Sequence, residues 1–219
     1  MTDNRVIAVV GGTGQLGAAI ARRLAKAGRT VIIGSRSAES AKIAATKLGY
    51  GLTGESNADA AAAGDIVIVT VPFAAQEAIL AEIKPFVQGK ILVDTTVPLM
   101  APKVMRVQLP DEGSAGVKAQ NKLGTGVAVV SGFHNVAAHK LITDEDIDCD
   151  VLVFGDDKAA RAEVVGLANS LGLRGIHGGA LVNSAAAEAM TSLLIFINKT
   201  YKVDGAGLRI TGELIEPDA

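Results

Sequence analysis

Residues Val6-Ile-Ala-Val-Val10 run directly into Gly11-Gly-Thr-Gly-Gln-Leu-Gly17, and these into a helix-forming stretch, Leu16–Ala27. A buried strand, a glycine-rich turn and a helix in that order leave few folds open. The helix start supplies N–H groups without intrahelical partners and the positive end of its dipole, and both favour a phosphate. Gly12 is expected to permit the tight turn, Gly14 to admit a diphosphate to the backbone, and Gly17 to let helix and strand pack closely. The segment fits G-x-G-x-x-G through Gly12, Gly14 and Gly17, and G-x-x-G-x-x-G through Gly11, Gly14 and Gly17. Both describe dinucleotide loops, and Thr13 between the glycines is a further phosphate ligand.

The rest of the chain keeps the rhythm. Aliphatic runs at Val6–Val10, Thr30–Ile33, Ile66–Val71, Lys90–Asp94, Gly126–Ser131 and Asp150–Phe154 alternate with helical stretches at Ala38–Leu48, Ala58–Ala63, Ala74–Phe86 and Lys158–Leu171. Short, continuous, β-branched runs suit strands covered on both faces. The expected fold is α/β: a Rossmann-type doubly wound parallel sheet, with a smaller C-terminal part built on a long helix at Leu181–Tyr201. The division falls at 1–131 and 132–219. Gly28, Gly49 and Gly172 stand where helices should stop. Pro98–Lys122 breaks the rhythm and reads as a loop or small hairpin followed by a short helix. The long helix is apolar enough to need cover, from the sheet, a second subunit or both.

Composition removes several classes. The formal net charge of −2 offers no field for nucleic acid. Apolar runs such as Leu193–Ile197 fall short of the roughly 18–20 residues that span a bilayer. One cysteine, Cys149, and the absence of a basic-then-apolar leader make the cytoplasm the expected compartment. No Cys/His spacing suggests a metal. The charge is uneven: Lys84 to Lys140 carries seven cations against three acids, and Asp144 to Glu163 eight acids against two cations. These are either solvated faces or, for the basic stretch, a surface toward an anionic ligand.

The end of the second strand selects the nucleotide. About eighteen residues past Gly17 comes Gly34-Ser-Arg-Ser37, where an NAD-binding fold places a carboxylate on the ribose. None is present. Ser35 and Ser37 can donate hydroxyl hydrogen bonds and Arg36 a charge-assisted pair, so the site suits the 2′-phosphate of NADP(H). Strands ending in Val71-Pro72-Phe73 and Thr95-Thr-Val97-Pro98 bring further residues to the carboxyl edge of the sheet, where ligands bind. Phe73 either walls the cofactor or packs in the core, and Asp94 is read as a strand-end turn former.

His134, just past a strand, can orient a carbonyl or shuttle a proton. Ser184, Glu188 and Thr191 share one face of the long helix, as part of a site or as a polar stripe at a subunit boundary. The Tyr-x-x-x-Lys pair of short-chain dehydrogenases is missing: Tyr50 is followed four residues on by Gly54, and Tyr201 by Gly205. Hydride transfer to a conjugated ring, which delocalises the charge, needs no such acid.

Gly11–Gly17, Gly34-Ser-Arg36, Thr70-Val-Pro-Phe73, Val97-Pro98, Phe133-His-Asn-Val-Ala-Ala138, Phe154-Gly-Asp-Asp157 and Glu188-Ala-Met-Thr191 together make the chain similar to the NADPH-dependent coenzyme F420 reductases. The resemblance implies NADP(H) on Thr13, Gly14, Gln15, Leu16, Ser35, Arg36, Phe73, Val97 and Ala138. It implies a deazaflavin held by His134 and Thr191 with the glycine tail at Gly207, and a homodimer. Phe73, Ala137 and Ala189 stand where the family pattern has Trp, Pro and Ser. A flavin, another small conjugated acceptor, or a non-catalytic NADP(H) sensor therefore stay open beside coenzyme F420.

Overall fold

The computed structural model describes residues 5–215. Its eight strands are β1 (Val6–Val10), β2 (Thr30–Ser35), β3 (Thr53–Ser56), β4 (Ile66–Val69), β5 (Ile91–Asp94), β6 (Ala128–Ser131), β7 (Asp150–Gly155) and β8 (Arg174–Gly179). They form one sheet in the order β3-β2-β1-β4-β5-β6-β7-β8. All neighbours pair in parallel except β6 and β7, which are antiparallel. Strand order reverses between β1 and β4, and the crevice above such a reversal is where α/β sheets bind ligands.

The helices are α1 (Gln15–Lys26), α2 (Ala38–Leu48), α3 (Asn57–Ala63), α4 (Phe73–Ile83), α5 (Ala115–Leu123), α6 (Ala138–Leu141), α7 (Lys158–Ser170) and α8 (Ser184–Tyr201). They cover both faces of the sheet. Ile7 and Val9 of β1 join one buried cluster with Ile20 and Leu24 of α1, while Ala8 and Val10 join another with Ile79 and Leu80 of α4. Alternate residues of one strand thus enter two cores. This is why the strand reads as an unbroken apolar run.

Two strands were not expected. Thr53-Gly-Glu-Ser56 and Arg174-Gly-Ile-His-Gly-Gly179 are the two edges of the sheet and lack a continuous aliphatic run. An edge strand has one neighbour and a partly solvated surface, so hydrogen bonding carries it without an apolar signature. The stretch after Pro98 has no hairpin, and α5 follows it. The expected long helix begins as a 3-10 turn, Leu181–Asn183, before α8. By length and composition 181–201 could cross a membrane, yet one face packs inside the protein through Ala187, Glu188, Ser192 and Leu194. Its other face exposes Leu193 and Phe196, 43% and 52% accessible.

The basic stretch mostly serves the fold. Lys84 donates to the Lys122 carbonyl at 2.7 Å, and Lys90 to Ala61 and Ala62 carbonyls at 2.9 Å, so each places a cation at the end of a helix. Lys118 and Lys122 pair with Glu77. Within 84–140, Lys103 and Arg106 lie exposed in the segment after Pro98.

Arg23 of α1 carries the connection that positions the site. Its guanidinium donates to the carbonyls of Leu141 and Glu145, both at 2.7 Å, and of Thr143 and Leu171, both at 2.8 Å. Burial draws its pKa down, but four carbonyls hold the charge in place. The segment after α6 is thereby pinned to α1, and α6 stands beside the glycine loop.

Candidate active site

The tight turn falls on Gly11, not Gly12. Gly11 has φ +74°, in the left-handed region that favours glycine, and its N–H donates to Asn57 Oδ1 at 3.2 Å. Gly12 is needed for closeness instead. A Cβ there would lie 2.7 Å from the Val9 carbonyl oxygen and 2.9 Å from Ile33 Cγ2. Its N–H donates to the Gly34 carbonyl at 2.9 Å, tying the loop to the end of β2. Gly17 packs as expected: a Cβ would sit 2.8 Å from Gly12 Cα and collide with Thr70 Oγ1. At Gly14 the nearest atom to such a Cβ is the Gly11 carbonyl oxygen at 3.3 Å. That is the roomiest of the four.

Helix α1 begins at Gly14 without a side-chain cap and without an acid in its first turn. Ser37, Ser56, Ser114 and Asp157 cap α2, α3, α5 and α7. The uncapped start of α1 leaves the N–H groups of Gln15, Leu16 and Gly17 to an anion. A cavity of about 480 Å³ lies over it, bordered by Thr13, Gly14 and Gln15, by Lys47 and Leu48 of α2, and by Ala138 and His139 of α6.

At the end of β2, Ser35 is buried and Arg36 is exposed beside the loop. The Ser37 hydroxyl oxygen accepts from Ser40 N–H at 3.3 Å, so its oxygen serves as a helix cap while its proton stays free for a phosphate. Val71, Pro72 and Phe73 follow the neighbouring β4, and Pro72 leads into α4, which is also uncapped. Lys118 Nζ stands 5.5 Å from the Phe73 ring centroid, an attractive cation–π pair. Val97 and Pro98 follow β5 on the same edge.

Asp94, at the end of β5, is fully buried. Its carboxylate accepts from Thr96 N–H at 3.1 Å, Thr96 Oγ1 at 2.6 Å and Gln76 Nε2 at 2.6 Å. Burial raises its pKa to about 6 against these bonds. Its bond to an N–H two residues on is the turn-forming role read from its position.

His134 follows Phe133, whose φ is +65°. The ring is buried, its Nε2 lies 2.8 Å from Ser131 Oγ, and desolvation lowers its pKa to about 3. The imidazole is therefore neutral near pH 7 and acts by hydrogen bonding. Thr191 Oγ1 donates to the His134 carbonyl at 3.0 Å, which brings the two predicted residues together from 57 positions apart. They border a second cavity of about 190 Å³ with Asn135, Asn198, Gly205 and Ala206. His139 borders this cavity and the one over the glycine loop. Its Nε2 also meets Asp204 Oδ1 at 2.8 Å.

Two expectations change. Glu188 and Ser184 do not line a subunit boundary: they are 1% and 0% exposed. Glu188 accepts from Ala115 and Gly116 N–H groups at 2.7 and 3.1 Å and from Ser184 Oγ at 3.0 Å. It closes the start of α5, and burial raises its pKa to about 7. Gly207 stands outside the second cavity, packed where a Cβ would come within 2.7 Å of Cys149 Sγ. Its neighbours Gly205 and Ala206 take the place beside the cavity. Asn135, Ser131 and Arg23 were not singled out, although Asn135 directly follows His134.

The pattern of an NADP oxidoreductase, coenzyme F420-dependent, matches residues 6–98. The F420-dependent NADP reductase of Methanothermobacter thermautotrophicus is 41% identical over 218 residues, 94% of each chain. That of Methanocaldococcus jannaschii is 40% identical over 220 residues, 94% of this chain and 97% of the other. A solved protein of Arthrobacter sp. FB24, proposed to be an F420-dependent NADP-reductase, superposes with TM-score 0.81 at 27% identity. That superposition covers 95% of this chain and 99% of the other. Likeness of this degree over nearly the full length, on a sheet whose reversal point carries the glycine loop, means that this chain belongs to the F420-dependent NADP reductase family.

Proposed function

We propose that this protein is an NADP(H)-dependent oxidoreductase that transfers hydride between the nicotinamide and the deazaflavin of coenzyme F420. The observation that carries this reading is the uncapped start of α1, with the glycine loop before it, at the point where the strand order reverses between β1 and β4. Unpartnered N–H groups at a helix start above such a reversal suit the diphosphate of a dinucleotide.

The residues present fit NADP(H). The free N–H groups at the start of α1, with Thr13, Gly14, Gln15 and Leu16, would hold the diphosphate. Gly12 and Gly17 let that loop lie close. Ser35, Arg36 and Ser37, with no carboxylate among them, would hold the 2′-phosphate. Val71, Pro72, Phe73, Val97 and Pro98 would border the nicotinamide, and Ala138 would close the cofactor from α6. When bound, NADP(H) supplies or receives the hydride. His134 and Thr191 would orient the acceptor, and the Gly205 segment, with Gly207 packed behind it, would complete that pocket.

The reading makes 1–131 the cofactor part and 132–219 the acceptor and assembly part. It includes a homodimer in the cytoplasm, with the exposed Leu193–Phe196 face of α8 covered by a second copy. Sedimentation of the purified chain at the mass of two copies is expected, and a single-chain mass would end that part of the proposal. The activity is tested by following NADPH absorbance with F420, FMN, FAD and riboflavin in turn. F420 is expected to oxidise NADPH. Tight NADPH binding with no oxidation by any of the four would mark a sensor rather than an enzyme.

A further inference from the structure

Asn57 stands beside the cofactor loop. It opens α3 at the same edge of the sheet, because Ser56, the residue before it, pairs with Ser35 at the end of β2. The residue is only 2% exposed. Its Oδ1 accepts the Gly11 N–H at 3.2 Å, and a Cβ at Gly34 would lie 3.1 Å from that oxygen and 3.3 Å from Asn57 Cα. Asn57 therefore touches both the loop assigned to the diphosphate and the first residue of the Gly34–Ser37 turn assigned to the 2′-phosphate.

The bond to Gly11 fixes which way the amide points. A backbone N–H only donates, so the carboxamide must turn its oxygen to Gly11 and its nitrogen away. Among the described residues Nδ2 has no hydrogen-bond partner, and it is not sealed off from solvent. A nearly buried amide that gives its oxygen to the loop and leaves its N–H donors open is set for an acceptor from outside. The acid on the same helix turn is already engaged: Asp59 accepts from the Ser56 hydroxyl at 2.6 Å. An aspartate at 57 would have the same shape and could keep the Gly11 bond. It would have no donor, however, and once ionised would repel a phosphate.

We infer that Asn57 is a specificity-determining residue of the dinucleotide site: its Oδ1 holds Gly11 in the left-handed region, and its Nδ2 donates to the phosphate on the adenosine ribose, beside Ser35 and Arg36. The inference rests on the functional reading above and deepens it. It adds a contact from β3 and α3 to a site otherwise built on the loop before α1 and the turn after β2.

The test is isothermal titration of NADPH and NADH at pH 8 into the native protein, Asn57→Asp and Asn57→Ala. Asn57→Asp retains an oxygen for Gly11 but no N–H. NADH should stay within about threefold of native, while NADPH weakens by about 10- to 100-fold, the effect of a lost charge-assisted hydrogen bond. Asn57→Ala loses both contacts. NADH should weaken by about 3- to 10-fold through the loosened loop, and NADPH by about tenfold more than that. An asparagine that served the fold alone would move the two cofactors together, so the NADPH-to-NADH ratio on one preparation is the deciding quantity. A native ratio in either variant overturns the inference, and Asn57→Asp decides it alone if the alanine variant does not fold. Native NADH affinity in Asn57→Ala removes Oδ1 from the assignment. A native protein that binds NADPH no better than NADH would instead be failure of the functional reading.

Discussion

Arg36→Ala will weaken NADPH binding by about 10- to 100-fold and leave NADH within about twofold, as read by isothermal titration. The guanidinium is exposed at the end of β2, and β2 is held against the glycine loop by the bond from Gly12 N–H to the Gly34 carbonyl. Only NADPH carries a phosphate on the adenosine ribose, so only NADPH loses a charge-assisted contact when Arg36 is removed. Such a contact contributes about 1.5–3 kcal/mol. Arg36→Lys retains the charge but not the planar fork, and its affinity should fall between the two. A loss shared equally by NADPH and NADH would remove Arg36 from the 2′-phosphate site.

The second large effect concerns Gly17. Alanine in a helix is ordinarily better than glycine by about 1 kcal/mol. At Gly17 the sign reverses, because the added Cβ would lie 2.8 Å from Gly12 Cα and 3.0 Å from the Gly11 carbonyl oxygen. These are backbone atoms of the loop itself, so α1 must move outward. Gly17→Ala should lose about 1–3 kcal/mol of stability in denaturant unfolding. NADPH affinity should drop more than about tenfold, since the N–H groups of α1 shift from the phosphate. Gly166→Ala in α7 is the control: no atom lies within 4 Å of its Cβ position, and it should gain up to about 1 kcal/mol. Two glycine-to-alanine changes that both stabilise would refute close packing at Gly17.

What could be read from the chain followed the range of the interactions. The Val6–Val10 strand, the loop and α1 form one continuous segment, and their pattern carried both the fold class and the nucleotide. Strands β3 and β8 escaped because they are edges: Gly54, Gly175 and Gly178 serve close packing, and no aliphatic run marks them. The turn glycine was assigned to Gly12 because both templates include Gly14 and Gly17 and differ only before them. In the fold Gly11 takes the positive φ, and Gly12 is the glycine pressed against Val9 and Ile33. Glu188 was misplaced for a similar reason. Helical spacing aligns it with Ser184 and Thr191, but its partners are N–H groups 72 and 73 residues away.

The amino-acid sequence by itself determined the cofactor side. A glycine-rich turn between an apolar strand and a helix, and a serine–arginine–serine turn without a carboxylate, are local chemistry whose meaning needs only the neighbouring residues. Tertiary structure decided the proposed acceptor side. The Thr191 hydroxyl meets its donor Asn135, 56 residues earlier, and its acceptor, the His134 carbonyl, only in the folded chain. Whether α6 reaches the nucleotide loop depends on Arg23 and on carbonyls more than a hundred residues later. Hydrogen-bond direction is a property of the atoms that surround a group, and those atoms become neighbours only when the chain has folded.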